Sequence, residues 1–401
     1  MTEWRKATLD EMGVVSRGKS KHRPRNDARL FGGKYPFIQT GDIGAAGLYV
    51  LDYSQTYNEV GLAQSKLWEK DTLCITIAAN IADTALLAFP ACFPDSIMGF
   101  QPYENVSNVK YVKYCFDILK KECQLISQGT AQDNLSWKKL STILFPCPPI
   151  EIQNKIAEAL SRYDALIENY KRQIKLLEEA AQRLYKEWFV DLRFPGHQST
   201  PIINNLPQGW EKKSAKDFFT MSIGKTPPRA ESSWFSTDDK DVPWVSISDM
   251  KDVMFVNTTN ERLTQEACDH FNVKIVPEGT ILLSFKLTVG RVSIADKPMC
   301  TNEAIAHFMR DGDNWREYTL MYLRNYHYDS LGNTSGISKA VNSTIIKNMP
   351  FVMPSNDILD SFSKMSSPYI NRIRNLSTQI RNLSEARDRL LPKLMSAEIE
   401  V

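Results

Sequence analysis

The residues GVVSRGKS (13–20) fit GxxxxGK[ST], a pattern in which backbone amides and a lysine cradle phosphate. That chemistry needs a buried strand before the loop and a helix after it, so that amides and helix terminus face the anion. Here the preceding residues are half polar. KHRPRND (21–27) then brings charge and Pro24 to the place where a helix would begin. No apolar strand ending in Asp offers a magnesium ligand. A second version of the stretch, FFTMSIGKT (218–226), keeps Gly224 and Lys225 but has Phe219 where the first glycine belongs. The Gly-Lys pair therefore reads as a turn that presents a loop.

That loop is basic. Between Arg17 and Lys34, Lys or Arg stands at 17, 19, 21, 23, 25, 29 and 34, against Asp27 alone, with His22 beside them. Interleaved Pro and Gly disfavour a helix. A flexible basic arm suits phosphate and base-edge contacts, which makes Arg17, Lys19, Lys21, Arg23 and Arg25 candidate DNA-binding residues. The rival reading is an ordinary solvated loop. The second version carries Lys225 and Arg229 beside the polar ESSWFSTDD (231–239), so the two loops would have different preferences. TIAANIAD (76–83) and SFKLTVGR (284–291) lie between paired apolar runs, as hairpin tips do. Asn80, Lys286, Thr288 and Arg291 are candidates there, with plain turn residues as the alternative. SQGTAQDN (127–134) and GNTSGISK (332–339) are further polar loops suited to nucleic acid or to leading into a strand.

Catalytic constellations are missing. There is no HExxH, CxxC or G-x-S-x-G, and the five histidines are scattered, so neither a metal nor a catalytic residue is expected. No FxGxG accompanies an N-P-P-aromatic motif of the kind adenine methyltransferases use. Pro94-Asp95 resembles the start of a nuclease site, but no ExK or DxK partner follows in a strand.

The elements that would position these loops are two long helices. Tyr163, Ile167, Tyr170, Ile174, Leu177, Ala181, Leu184 and Trp188 follow steps of four and three, a heptad seam. Tyr369, Ile373, Leu376, Ile380, Leu383, Arg387, Leu390 and Leu394 repeat it 206 residues later, and only Arg387, at the place of Ala181, breaks the apolar set. The helices are expected to zip together antiparallel, with Pro368 interrupting the second. The offset recurs along the chain: Trp4 with Trp210, Gly18 with Gly224, Cys92 with Cys300 (208 apart) and Pro148 with Pro354. A fixed period means an internal duplication, here with a pseudo-two-fold arrangement suited to a target with two half-sites. The expected bounds are 1–148 for the first α/β (α+β) globular part and 149–191 for its helix. A linker rich in proline and the second globular part follow over 192–354, then the second helix over 355–401.

With 401 residues, 42% hydrophobic and 24% charged, the chain has the composition of a multidomain soluble protein, and a net charge of +2 names no partner. The odd number of cysteines and the absence of an apolar signal core in MTEWRKATLDEM point to a cytoplasmic protein with reduced thiols. The most apolar run, Leu73 to Phe93, contains Asn80, Asp83 and Pro90, and reads as two strands and a turn with no membrane contact.

Trp210 with SIGKTPPR (222–229), then VPWVSISDM (242–250) beside YPFIQTGDI (35–43), then a long helix, all given twice, resembles the DNA specificity subunit of type I restriction–modification systems. The junctions KEWFVDLRFPG (186–196) and LPQGW (206–210), and the helix entry PPIEIQNKIAEAL (148–160), are similar to the family's as well. The first part departs from the pattern, with Ser20 and Lys21 where Thr-Pro is usual. The resemblance implies two target-recognition domains and two spacer helices in an antiparallel coiled coil. It implies a bipartite site in double-stranded DNA, read by a chain with no chemistry of its own. Two methyltransferase subunits and restriction subunits would be the partners, bringing S-adenosylmethionine, ATP and magnesium. A stand-alone nuclease or nucleotide hydrolase using GVVSRGKS, and a coiled-coil scaffold without DNA function, are the rival readings.

Overall fold

The computed structural model describes residues 4–78, 80–127, 135–331, 333–334, 337–338 and 341–400. The chain divides into two compact units, Met1–Tyr170 with Gln379–Val401, and Lys171–Thr378. Each unit is therefore completed by a stretch of both long helices.

In the first unit five strands run in the order Gly13–Arg17, Ile97–Pro102, Leu73–Thr76, Thr84–Leu87, Tyr49–Val50. All neighbours are antiparallel except the last pair. Leu73–Thr76 and Thr84–Leu87 are buried on both faces, which explains their continuous apolar lettering. The helix Val109–Ser127 begins where the Asn108 carboxamide accepts from the amides of Lys110 and Tyr111. It lays Val112, Cys115, Phe116 and Cys123 against Leu73, Ile75 and Phe100. A two-stranded sheet, Phe31–Phe37 with Gln55–Tyr57, carries the basic loop's far end.

The second unit repeats this plan. Its five strands run Thr220–Ile223, Ile305–Met309, Ile281–Ser284, Val292–Ala295, Phe255–Val256, again with only the last pair parallel. Arg5–Ala7 pairs antiparallel with Phe145–Cys147, and Glu211–Ser214 pairs in the same way with Pro350–Met353. The same strand order, reached through loops of different sequence, is the structural form of the 206-residue repeat.

The first long helix runs Ile150–Tyr185 and ends in a wide π turn over Lys186–Val190. The second runs unbroken over Asn356–Met395, so the interruption expected at Pro368 does not occur. A proline removes one hydrogen bond, but Leu359 and Phe362 before it and Ile370 and Ile373 after it are all buried in one core, and that packing keeps the backbone helical. The helices pair antiparallel within each unit: Asp164 meets Arg387 in the first, and Gln173 meets Arg372 in the second. The segment 192–210 is not a free linker. Phe194 and Trp210 are buried, their rings 5.3 Å apart, and Ile202–Ile203 pairs with Leu206–Pro207.

Candidate nucleic-acid interface

The two Gly-Lys turns are the same device. The amides of Gly18 and Lys19 donate to the carbonyls of Ile97 and Phe93, and those of Gly224 and Lys225 donate to Ile305 and Thr301. These amides are consumed by the fold, so no phosphate cradle exists at either turn. The glycine is needed for close approach: a methyl group on Gly18 would sit 2.2 Å from the Pro94 carbonyl, and one on Gly224 2.2 Å from that of Asn302.

The basic loop leaves the first turn pinned. The Gln64 carboxamide accepts from the amides of Lys21 (2.6 Å) and His22 (3.0 Å), and the Ser65 hydroxyl donates to the Lys19 carbonyl (2.7 Å). Asp95 takes Arg25 at 2.5 Å and Arg23 at 3.7 Å. Asp27 takes Arg29 and His22, and the hydrogen bonds from Arg29 hold its carboxyl well below the usual range. The expectation of a flexible arm is therefore corrected: the clamps come from Gln64, Ser65 and Asp95, too distant in sequence to be seen locally. Asp95, the acidic residue of the nuclease-like dipeptide, serves as a clamp. Arg17, Lys19 and Lys21 are exposed and have no ion-pair partner among the described residues.

Both hairpin tips are stapled alike. The Thr76 hydroxyl donates to the Asn80 carbonyl and accepts from the Asp83 amide at 3.0 Å. The Ser284 hydroxyl donates to the Thr288 carbonyl (2.6 Å) and accepts from the Arg291 amide (3.0 Å). Asn80, Lys286 and Thr288 are exposed. Asp83 pairs with Lys120 at 2.5 Å, whereas Arg291, at the corresponding place, donates to the Ile247 carbonyl at 2.7 Å. Lys225 donates to the Phe271 carbonyl at 2.6 Å, and Arg229 is bidentate to Glu261 at 2.7 and 2.9 Å, which lowers the Glu261 pKa. The polar loops 127–134 and 332–339 lie, but for Ser127 and four residues of the latter, outside the described residues.

The type I restriction modification DNA specificity domain matches residues 1–179 and, a second time, residues 207–382. The chain belongs to this family. It is 25% identical to the type I restriction enzyme MjaIX specificity subunit of Methanocaldococcus jannaschii, over 100% of this chain and 94% of that one. It is 22% identical to the HindI specificity subunit of Haemophilus influenzae over the full length of both. The crystal structure of a type I restriction-modification S subunit from M. genitalium, 14% identical, shares the fold with a TM-score of 0.62 over 98% of this chain and 96% of that one.

The helical seam of this family member is covered along its length. Ile167, Trp188, Ile373, Leu376 and Leu394 are buried. Tyr163, Tyr170, Ile174, Leu177, Leu184, Tyr369, Ile380, Leu383 and Leu390 are half-buried. The heptad spacing missed Leu160, Tyr185, Ile370 and Leu391, which are buried beside the seam in the globular cores. It also missed Asp164, 7% exposed, which accepts from Arg387 at 2.5 Å and from the Tyr114 hydroxyl. Asp117, paired with Lys113 at 2.7 Å, lies in the same region, and burial raises its pKa. All seven cysteines are free. Among the described residues no group of three His, Cys, Asp or Glu is disposed to hold a metal, and no helix is long and apolar enough to cross a membrane.

Proposed function

We propose that the chain acts as the DNA specificity subunit of a type I restriction–modification complex. Each unit reads one half of a bipartite site in double-stranded DNA. The observation that carries the proposal is the doubling itself: one family domain matched twice, on two units with one strand order and different loops. Two copies of a reader with divergent surfaces suit two unlike half-sites. Arg17, Lys19, Lys21, Asn80, Lys286 and Thr288 are assigned to DNA. Arg23, Arg25, Lys225, Arg229 and Arg291 are assigned to holding the loops in place, because their head groups already have partners in the fold.

Chemistry would come from partners in the cytoplasm: two methyltransferase subunits with S-adenosylmethionine, and restriction subunits with ATP and magnesium. Single-molecule methylation mapping of host DNA tests this. One bipartite motif should be methylated when the chain is present and unmodified when its gene is deleted. Methylation that persists at the same motif without the chain would contradict the proposal. Turnover of DNA or ATP by the purified chain alone would instead favour the enzyme reading.

A further inference from the structure

The hairpin tip 284–291 of the second unit holds one apolar side chain clear of the fold. Leu287 is 99% exposed, and the next large apolar residues among those described, Leu125 and Leu176, reach only 68% and 62%. Its backbone is left-handed, at φ +59°. A leucine in that conformation crowds its Cβ against the backbone, which glycine avoids and asparagine offsets with local hydrogen bonds. An apolar group in water, on a backbone residue that resists its shape, disfavours the free chain on both counts.

The exposure does not come from a loose loop. The Ser284 hydroxyl ties the base of the tip to the Thr288 carbonyl and the Arg291 amide, and the Gly290 amide donates to the Ser284 carbonyl at 2.9 Å. On one side the buried Phe285 anchors the tip, its amide donating to the Ala304 carbonyl at 2.9 Å. On the other, Gly290 lies so close to the Tyr328 ring that a methyl group would stand 2.9 Å from it. Leu287 is thus held at the apex of a fixed hairpin.

The tip stands beside the second Gly-Lys turn, since the successive carbonyls of Ala304 and Ile305 accept from Phe285 and Gly224. The first unit repeats the arrangement, with Ser96 and Ile97 accepting from Ile77 and Gly18. There the tip 76–83 lies next to the loop that carries exposed Arg17, Lys19 and Lys21. Lys286 and Thr288, on either side of Leu287, are exposed as well, a cation and a hydroxyl suited to the phosphates that flank a base step. A stable protein partner needs a patch of about 800 Å². A base step opens for a single apolar side chain.

We infer that Leu287 is a wedge: it enters between two adjacent base pairs of the half-site met by the second unit and unstacks them. The inference rests on the DNA-reading function proposed above. The residue 208 positions earlier is Ala79, whose side chain is too short to part stacked bases, so one half-site alone is opened in this way.

The test uses the full chain assembled with its methyltransferase partners and a duplex carrying the mapped site. 2-Aminopurine or pyrrolocytosine replaces, one at a time, each adenine or cytosine of both half-sites except the methylated adenines; both probes brighten when unstacked. In the wild type, probes at two neighbouring pairs of one half-site should brighten on binding. Leu287→Met keeps a long apolar side chain and should keep the signal. Leu287→Asn suits the left-handed backbone and is polar. It should lose the signal and bind about tenfold more weakly. Its slope of log affinity against log salt should stay at the wild-type value, because no phosphate contact is removed. Specific binding with no step whose brightening depends on Leu287, or with Leu287→Asn equal to the wild type, overturns the wedge and leaves the function standing. A wild-type complex that binds the mapped site no better than a scrambled duplex overturns both.

Discussion

The two units solve the same packing problem with different chemistry. On the strand Ile305–Met309, His307 is fully buried between the hydroxyls of Ser222 and Thr301, each 2.8 Å away. The residue 208 positions earlier is Gly99, and Trp68 fills the space, so that a methyl on Gly99 would lie 2.5 Å from the indole. Between the long helices, the first unit buries Asp164 with Arg387 and Tyr114. At the corresponding places the second unit has Ile370, Ala181 and Met321, all buried. Duplication has preserved what the backbone needs, namely strand order, Gly-Lys turns and stapled hairpin tips. Polar and apolar fillings of the interior have been free to diverge.

The comparison is broken most severely at the buried ion pair. Arg387→Ala leaves the Asp164 charge buried without its cation, which costs about 3–5 kcal/mol, read as a lower denaturant midpoint. Installing the second unit's solution, Asp164→Ile with Arg387→Ala and Tyr114→Met, should recover most of that loss, because well-packed apolar groups often equal a buried pair. A triple variant no more stable than Arg387→Ala would show that the two interiors are not interchangeable.

The next effect is confined to the second unit. Burial, with the nearby Lys274 charge, lowers the His307 pKa from 6.5 to about 4. The folded state disfavours the proton, so below pH 6.5 the unfolded chain binds more protons and stability falls as pH falls. The loss should be on the order of 3 kcal/mol by about pH 4. Hydrogen exchange should show amides of residues 281–309 losing protection over that window in the wild type, and losing much less of it in His307→Gln. Equal acid sensitivity in the wild type and the variant would remove His307 as the cause.

A smaller effect sharpens the contrast between the loops. Replacing Arg17, Lys19 and Lys21 by Ala should lower the slope of log affinity against log salt by about 0.9 for each lost phosphate contact. Replacing Lys225 and Arg229, whose head groups are engaged by Phe271 and Glu261, should change that slope less. The reverse ranking in the assembled complex would exchange the roles given to the two loops.

Much of this architecture was legible because it is periodic. Heptad spacing located both long helices, and the 206-residue offset revealed the duplication that the two five-stranded sheets display. What escaped was contact between residues distant in sequence. Asp164 stands next to a seam position but faces Arg387 only once the helices run antiparallel. The charge of the basic loop looked opposed by Asp27 alone because Asp95 approaches it only in the fold, and the loop looked free because Gln64, which accepts from its backbone amides, is distant in sequence.

The central claim is that each unit is a separate reader of DNA. Its most direct test exchanges residues 210–350 for the corresponding region of a relative with a different methylated site, followed by methylation mapping. One half of the bipartite motif should change to that of the donor, and the other half and the gap should stay as they were. A motif altered in both halves, or in neither, would contradict the account.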